Sequence, residues 1–192
     1  MQRDNRARSC ARARARARAF TLVELAIVVA IVGVLAVIGV VSYRKFMLSA
    51  KVSEAQNMIS AIRVAQEDYK VERGIYANMG AGFCPTNGMA LVKSGWNTTC
   101  AGGGVGPLAT WAGLSVHADG PVQFGYSAVA PPAAVPVISW VDMTAGTAIA
   151  ATRPWYVIQA QADLNGDGAA GVQTELVGTS FQNTIFSHNE GE

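Results

Sequence analysis

The 192-residue sequence contains few charged side chains and few of the residues that most often catalyse reactions. Only 15% of it is Asp, Glu, Lys or Arg, whereas 51% is apolar, a composition that supports a hydrophobic core and argues against disorder. The two histidines, His117 and His188, lie in loop-like and terminal contexts, and neither has a Ser or Cys nucleophile motif beside it. We therefore expect one folded domain with an appendage, and we do not expect an enzyme.

Acidic residues are nearly absent from the N-terminus. Residues 1–19 hold seven arginines and one acid, Asp4, which gives a local charge of +6, and the rest of the chain carries −4. Such an asymmetry is typical of a tail or a targeting segment. A polyarginine arm can bind nucleic acid, but a membrane-length apolar run follows this one at once. By the positive-inside rule the arginines keep the N-terminus cytoplasmic. Arg44, Lys45 and Lys51, beyond the run, weakly favour the opposite orientation.

The apolar run from Phe20 to Val41 has a single charge in 22 residues, Glu24. A helix of this length covers about 33 Å, close to one hydrocarbon core. A secretory signal peptide has a shorter apolar core and a small-residue cleavage site after it, whereas this chain continues with a helix-compatible stretch. A plain signal anchor explains the length but gives no reason for Glu24. Because a carboxylate inside a bilayer costs about 2.5–3.5 kcal/mol, Glu24 is a candidate functional residue.

Residues 19–36, AFTLVELAIVVAIVGVLA, resemble the N-terminal signature of type IV prepilins and type II secretion pseudopilins. The resemblance implies that a peptidase cuts between Ala19 and Phe20, that the new N-terminus of Phe20 is methylated, and that the helix packs in a filament core. Glu24 is then the fifth mature residue. Its pairing with the Phe20 amine of a neighbouring subunit would offset the desolvation of both charges and set the axial register. The chain departs from the family at Ala19, where Gly is usual, and at Val41, where many members have Pro.

The resemblance further implies a structural subunit of a type IV pilus, polymerised through its N-terminal helix into a surface filament for adhesion or motility. The expected partners are other copies of the chain, other pilins, the prepilin peptidase and the pilus assembly machinery, and no cofactor is required. The chain would be held in the bacterial inner membrane, N-terminus in, and then lie in the extracellular filament. The alternatives are a type II secretion pseudopilin in a short periplasmic filament and, more distantly, a membrane-anchored binding protein.

An amphipathic helix continues beyond the apolar run. Apolar residues recur there at spacings of three and four: Ala55, Met58, Ile59, Ile62, Ala65 and Tyr69. No Gly or Pro lies between Gly39 and Gly74, and Gly74 is a typical C-terminal stop, so one helix is predicted from about Phe20 to Arg73. The predicted parts of the chain are a leader (1–19), a filament-core helix (20–41), its amphipathic continuation (42–74) and a globular head (75–192).

The two cysteines outside the leader, Cys84 and Cys100, lie in a Gly-rich stretch from Ala77 to about Gly120 that is typical of a long connection. Because this segment is expected outside the cytoplasm, a disulfide is predicted, worth roughly 3 kcal/mol in the loop-entropy description. The triplet Asn97-Thr98-Thr99 matches an N-glycosylation acceptor, a pattern that also arises often by chance.

Three stretches have the composition of β-strands: Val122–Val129, Val135–Met143 and Trp155–Ala162, with a fourth near Phe181–Phe186. In the third, Tyr156, Ile158, Ala160 and Ala162 share one face. A long helix packed against a small antiparallel sheet is an α+β arrangement, and it is the fold that the resemblance implies.

The segment from Asp163 to Gly168 resembles the opening of a calcium loop, with Asp163, Asn165 and Asp167 as oxygen donors for Ca²⁺. The Glu of the EF-hand pattern would fall at position 174, which is Thr174, and no flanking helix is evident. A polar turn between strands explains the same residue types, because Asn, Asp and Gly favour turns. The sequence leaves both interpretations open.

Overall fold

The computed structural model describes residues 20–85, 92–96, 100, 110–143, 152–166, 168 and 173–190. Its elements in chain order are α1 (Leu22–Arg73), β1 (Gly80–Cys84), a short 3-10 helix (Trp111–Leu114), β2 (Gly125–Val129), β3 (Val157–Ala162), β4 (Thr174–Thr179) and β5 (Ile185–His188). The chain divides into two units, Met1–Ser42 and Tyr43–Glu192.

The first unit contains the apolar part of α1. Every described side chain in it is exposed, including Leu22 at 85% and Val37 at 68%. By length and composition, α1 could cross a membrane, and it is the one helix in the described ranges for which this holds. A helix suits an apolar solvent because all of its interior backbone groups bond within the segment.

In the second unit, one face of α1 packs on the sheet through six buried residues: Val52, Ala55, Met58, Ile59, Ile62 and Gln66. The predicted stripe is confirmed at four of them, whereas Ala65 and Tyr69 are only partly buried. The helix ends at Arg73, as predicted. Gly74 follows in the left-handed region at φ +75°, where its N–H donates to Lys70 O at 2.7 Å.

The five strands form one antiparallel sheet in the order β1-β2-β3-β4-β5. The register of the central strands aligns Val129 with Val157 and Val157 with Thr179. Small residues on the face towards α1 bring helix and sheet close together. At Gly178 a Cβ would lie 2.6 Å from Ile59 Cγ2, so no other residue fits there without a shift. The α+β prediction is confirmed.

The strand predicted at Val135–Met143 is wrong. The segment is irregular, and Pro136 within it lacks the N–H that a sheet ladder requires. Its apolar residues Ile138, Val141 and Met143 instead form a second cluster with Val129, Val157 and Val177 of the sheet and with Trp155, which precedes β3. Since Val157 and Ile158 point to opposite faces of β3, this cluster covers the face away from α1.

Other boundaries also differ from the prediction. The stretch from Ala77 to Gly120 is not wholly a connection, because it contains β1 and the 3-10 helix. The predicted first strand is shorter, and Val122 makes only an isolated bridge with Ser94. The fourth predicted strand, Phe181–Phe186, straddles the turn before β5, and β4 was missed. The face assignment within β3 is confirmed, since Tyr156, Ile158, Ala160 and Ala162 all lie in the core against α1.

Candidate functional site

Thr21 and Glu24 hydrogen-bond each other at the start of α1. The Glu24 N–H donates to Thr21 Oγ1 at 3.2 Å, and the N–H and hydroxyl of Thr21 each donate to Glu24 Oε2 at 3.4 Å. This reciprocal pattern is a capping box, and the acid in the first turn also interacts favourably with the helix dipole. Sequence analysis selected Glu24 and missed Thr21, although the Thr-x-x-Glu spacing is the signal for such a cap.

The surroundings of Glu24 are apolar and exposed. Phe20 is 78% exposed, and Leu25 next to Glu24 is 57% exposed. Glu24 forms no ion pair with any residue in the described ranges. A contiguous exposed apolar surface marks contact with a membrane or another protein. A carboxylate that is buried in such a contact without a cationic partner is strongly destabilising. Ala19, on the other side of the predicted cleavage site, lies outside the described residues.

The head is braced by a disulfide between Cys84 and Cys100, whose Cα atoms are 5.9 Å apart. Cys84 is the last residue of β1 and is fully buried. The predicted disulfide is therefore present, and it joins Cys100 of the Gly-rich segment to the sheet, where Cys84 was not predicted to lie. Asn97, of the predicted glycosylation triplet, lies outside the described residues.

Two polar side chains of α1 that lie outside its apolar stripe bind the head. Glu54 Oε1 accepts from the Gln123 N–H at 2.8 Å, and its Oε2 pairs with Lys93 Nζ at 2.6 Å. Arg63 donates to four backbone carbonyls at the β4–β5 connection. No sequence signal marked either residue, because both bind groups that are distant in the chain.

The chain that leaves α1 is held by buried and partly buried polar contacts. The side-chain amide of Gln66 donates to Ala77 O at 2.8 Å, and the Ala77 N–H donates back to Gln66 Oε1 at 2.9 Å. The Tyr76 hydroxyl donates to Glu67 Oε1 at 2.8 Å and accepts from Lys70 Nζ at 3.0 Å. Burial raises the pKa of Tyr76 well above its usual range, and the hydrogen bond and negative charge of Glu67 add to this. These contacts fix the fold of the head and carry no catalytic chemistry.

The candidate calcium loop forms the turn after β3. Both carboxylate oxygens of Asp163 accept backbone N–H groups, Oδ1 from Gly166 at 2.7 Å and Oδ2 from Gly168 at 3.0 Å. Asn165 lies in the same turn, and Asp167 is outside the described residues. In the ranges that the structure describes, no three His, Cys, Asp or Glu side chains are grouped as metal ligands. The geometry favours the polar-turn interpretation, and the calcium site stays a prediction.

Neither histidine is arranged as a catalytic base. His117 is exposed after the 3-10 helix. His188 stacks on Trp140 with ring centroids 5.0 Å apart, and the indole N–H of Trp140 donates to Glu175. His188 is thus a packing residue at the end of β5.

Comparison with known proteins finds a family match in the N-terminal segment of the chain. Residues 14–40 match the prokaryotic N-terminal methylation motif, a family defined by the segment that contains Ala19, Phe20 and Glu24. No solved structure matches the chain with statistical significance.

Curated relatives then identify the family. The type IV major fimbrial protein FimA of Dichelobacter nodosus is 30% identical over 115 residues, which are 58% of this chain and 74% of FimA. The type IV major pilin protein PilA of Myxococcus xanthus is 32% identical over 159 residues, 82% of this chain and 63% of PilA. The fimbrial protein EcpC of Eikenella corrodens is 35% identical over 77 residues, and the chain spans 50% of its length. The chain belongs to the type IV pilin family, whose members are structural subunits and not enzymes.

Proposed function

We propose that the chain is a structural subunit of a type IV pilus. It is made as a prepilin, cut between Ala19 and Phe20, methylated on the Phe20 amine and polymerised through the apolar helix. The observation that carries this proposal is Glu24, an acid in the first turn of α1, within the exposed apolar part of the helix and within an N-methylation motif. A plain membrane anchor would have only the helix cap to gain from this acid, at an insertion cost of about 2.5–3.5 kcal/mol.

Glu24 has different partners before and after assembly in this proposal. In the single subunit, Thr21 satisfies part of the hydrogen-bonding capacity of the carboxylate through the capping box. In the filament, the cationic amine of a neighbouring Phe20 pairs with it and sets the register between subunits. An uncleaved leader would replace that amine with a peptide bond and keep seven arginines attached. Cleavage is therefore the switch for assembly.

The remaining partners and locations follow from the same pathway. The prepilin peptidase and the assembly machinery act on the chain while it spans the inner membrane with its N-terminus in the cytoplasm. Other copies of the chain and other pilins surround it in the extracellular filament, where it serves adhesion or motility. The basic leader before an apolar helix supports this orientation.

A type II secretion pseudopilin, with a periplasmic filament, is the second candidate function. Similarity to proteins named major pilins and fimbrial proteins favours the pilus. Mass spectrometry of filaments sheared from the cell surface separates the two, because a pilin is recovered there and a pseudopilin is not. The same spectrum shows where the mature chain begins, and any start other than Phe20 contradicts the proposed cleavage.

Three substitutions test the role of Glu24. Glu24→Ala removes the acid and the cap, Glu24→Gln removes the charge but can still cap the helix, and Thr21→Val removes the capping hydroxyl but keeps the charge. Both Glu24 variants are expected to remain in the membrane, since losing the acid lowers the insertion cost by about 2.5–3.5 kcal/mol. Both should lose filaments, since an orphaned amine in the polymer costs roughly 3–5 kcal/mol. Thr21→Val should cost about 1 kcal/mol and retain most filaments.

The measurement compares membrane and sheared-filament fractions in a strain with no other copy of the gene. If Glu24→Gln forms filaments at the wild-type level while Thr21→Val does not, the residue acts as a helix cap and the charge-pairing mechanism is wrong.

A further inference from the structure

Two grooves flank the part of α1 that directly follows the apolar run. Both lie within the Tyr43–Glu192 unit. The first, here called the Arg44 groove, has a volume of about 370 Å³ and is lined by Tyr43, Arg44, Met47, Leu48, Leu164 and Asn165. The second, the Lys45 groove, measures about 190 Å³ and is lined by Lys45, Leu48, Ser49, Val52 and Glu190. The volume of the first falls within the range of roughly 300–1,000 Å³ that is usual for ligand pockets.

The two grooves differ in charge. Lys45 shares its groove with the carboxylate of Glu190, so the charges there balance. Arg44 is exposed, forms no ion pair in the described part of the chain, and has no acid among the residues that line its groove. Asp163, in the adjoining turn, has both carboxylate oxygens bound by backbone N–H groups. Among the described residues, the Arg44 groove therefore contains one guanidinium without a carboxylate partner, together with an apolar lining of Met47, Leu48 and Leu164.

The position of this groove in the chain indicates what can occupy it. Tyr43 follows Val41, the end of the apolar run, by two positions on the same helix. When the run spans a bilayer, residues just beyond it reach the level of the lipid headgroups. Tyr43 is 64% exposed, and a tyrosine is typical of the membrane–water interface. At that level the abundant anion is the phosphate of a phospholipid.

We propose that the Arg44 groove binds the phosphate of an anionic phospholipid in the outer leaflet while the subunit is held in the membrane. The proposal rests on the membrane-inserted form in the proposed function. The guanidinium can donate two parallel hydrogen bonds to phosphate oxygens, which an ammonium cannot do. The apolar lining accommodates the glycerol and upper acyl carbons. The groove thereby supplies a second, polar anchor that must be released when the subunit leaves the bilayer for the filament.

The test uses the full chain in nanodiscs of phosphatidylcholine with a minor fraction of phosphatidylglycerol. Native mass spectrometry counts the phosphatidylglycerol molecules that each released chain retains. Arg44→Gln should reduce retention by roughly tenfold or more, the loss expected for a charge-assisted phosphate contact. Arg44→Lys should give an intermediate value. The matched control Lys45→Gln removes the same charge one residue away and should change retention by less than about fivefold, the effect of general surface attraction.

Three outcomes overturn the proposal. One is equal loss in Arg44→Gln and Lys45→Gln, which indicates general attraction to an anionic surface. Another is equal retention of phosphatidylcholine and phosphatidylglycerol by the wild type. The third is displacement of the lipid by millimolar glycerol phosphate in the buffer, which indicates a site for soluble anions. A wild-type chain that fails to insert into the nanodisc contradicts the proposed function instead, so the two failures are distinguishable. Formation of the Cys84–Cys100 disulfide in each variant checks that the head is folded.

Discussion

Arg63 fastens the β4–β5 connection to α1, and its replacement by Met should loosen the head. The guanidinium Nη1 donates to Asn183 O at 2.7 Å, and Nη2 donates to the carbonyls of Gln182 and Thr184 at 3.1 Å and of Thr179 at 3.4 Å. No carboxylate takes part. Arg63→Met retains much of the apolar stem that packs on the sheet and removes every one of these donors.

The contacts of Arg63 set the expected magnitude. A hydrogen bond to a charged group contributes about 1.5–3 kcal/mol. The carbonyls of Asn183 and Thr184 are exposed, so water can replace the guanidinium there, whereas the contacts to Thr179 and Gln182 are partly buried. The loss in unfolding free energy should therefore be about 2–4 kcal/mol. For a unit of this size that corresponds to a decrease in Tm of roughly 5–15 °C.

The assay is thermal and urea unfolding of the full chain in detergent, followed by tryptophan fluorescence. All four tryptophans lie in the head, at positions 96, 111, 140 and 155, so the signal does not depend on the apolar helix. Hydrogen exchange of the β5 amides should increase in the same variant. The matched control is Arg153→Met, because Arg153 is exposed and has no ion pair with a described residue. It should change stability by less than about 0.5 kcal/mol.

Two results would refute this reasoning about Arg63. If Arg63→Met unfolds within about 0.5 kcal/mol of the wild type, water replaces the guanidinium at no cost. If Arg153→Met is equally destabilising, the loss reflects net charge and not the carbonyl contacts.

Three further predictions concern the stability of the same head. Replacing Cys84 and Cys100 together by Ser should lower the unfolding free energy by roughly 3 kcal/mol, and an unchanged value in the unfolding assay would contradict the bracing role. Gly178→Ala should cost about 1–3 kcal/mol because its Cβ would meet Ile59 Cγ2 at 2.6 Å, and a neutral result would mean that α1 shifts freely. Burial raises the pKa of Tyr156 to about 12. The contribution of its neutral hydroxyl to the unfolding free energy should therefore be complete below pH 10 and be lost between pH 10 and 12. Tyr156→Phe should flatten that decline in alkaline unfolding curves.

The hydrogen bonds of Thr21 explain how the apolar part of α1 can contain an acid, Glu24. Thr21 gives the carboxylate of Glu24 a neutral partner within its own subunit, at hydrogen-bond distances of 3.4 Å. Such long contacts are easily exchanged for a stronger, charged partner. In the proposed mechanism, these contacts serve the subunit in the membrane and are given up in the filament.

Prediction from sequence succeeded where the signal is local. The apolar run, the stripe of Ala55, Met58, Ile59 and Ile62, and the stop at Gly74 all follow from helical periodicity and from the conformational freedom of glycine. The strand at Val135–Met143 failed because alternating apolar residues can cover a sheet face as well as join a sheet, and periodicity cannot separate the two. The fourth strand was misplaced because β4 contains Gly178, which strand composition disfavours.

The amino-acid sequence by itself determined the long helix, the membrane-length apolar run and the single acid within it, because each depends on residues that are close together in the chain. Only the tertiary structure decided which groups Arg63, Glu54 and Gln66 bind. All three contact backbone groups of other segments, and any residue type presents such groups, so the sequence does not mark them. It also decided that Arg44 and Lys45, which are neighbours of equal charge, face different grooves. A helix turns about 100° per residue, so adjacent side chains meet different surroundings. Leu164 and Asn165 complete one groove and Glu190 completes the other, and all three are more than a hundred positions away in the chain.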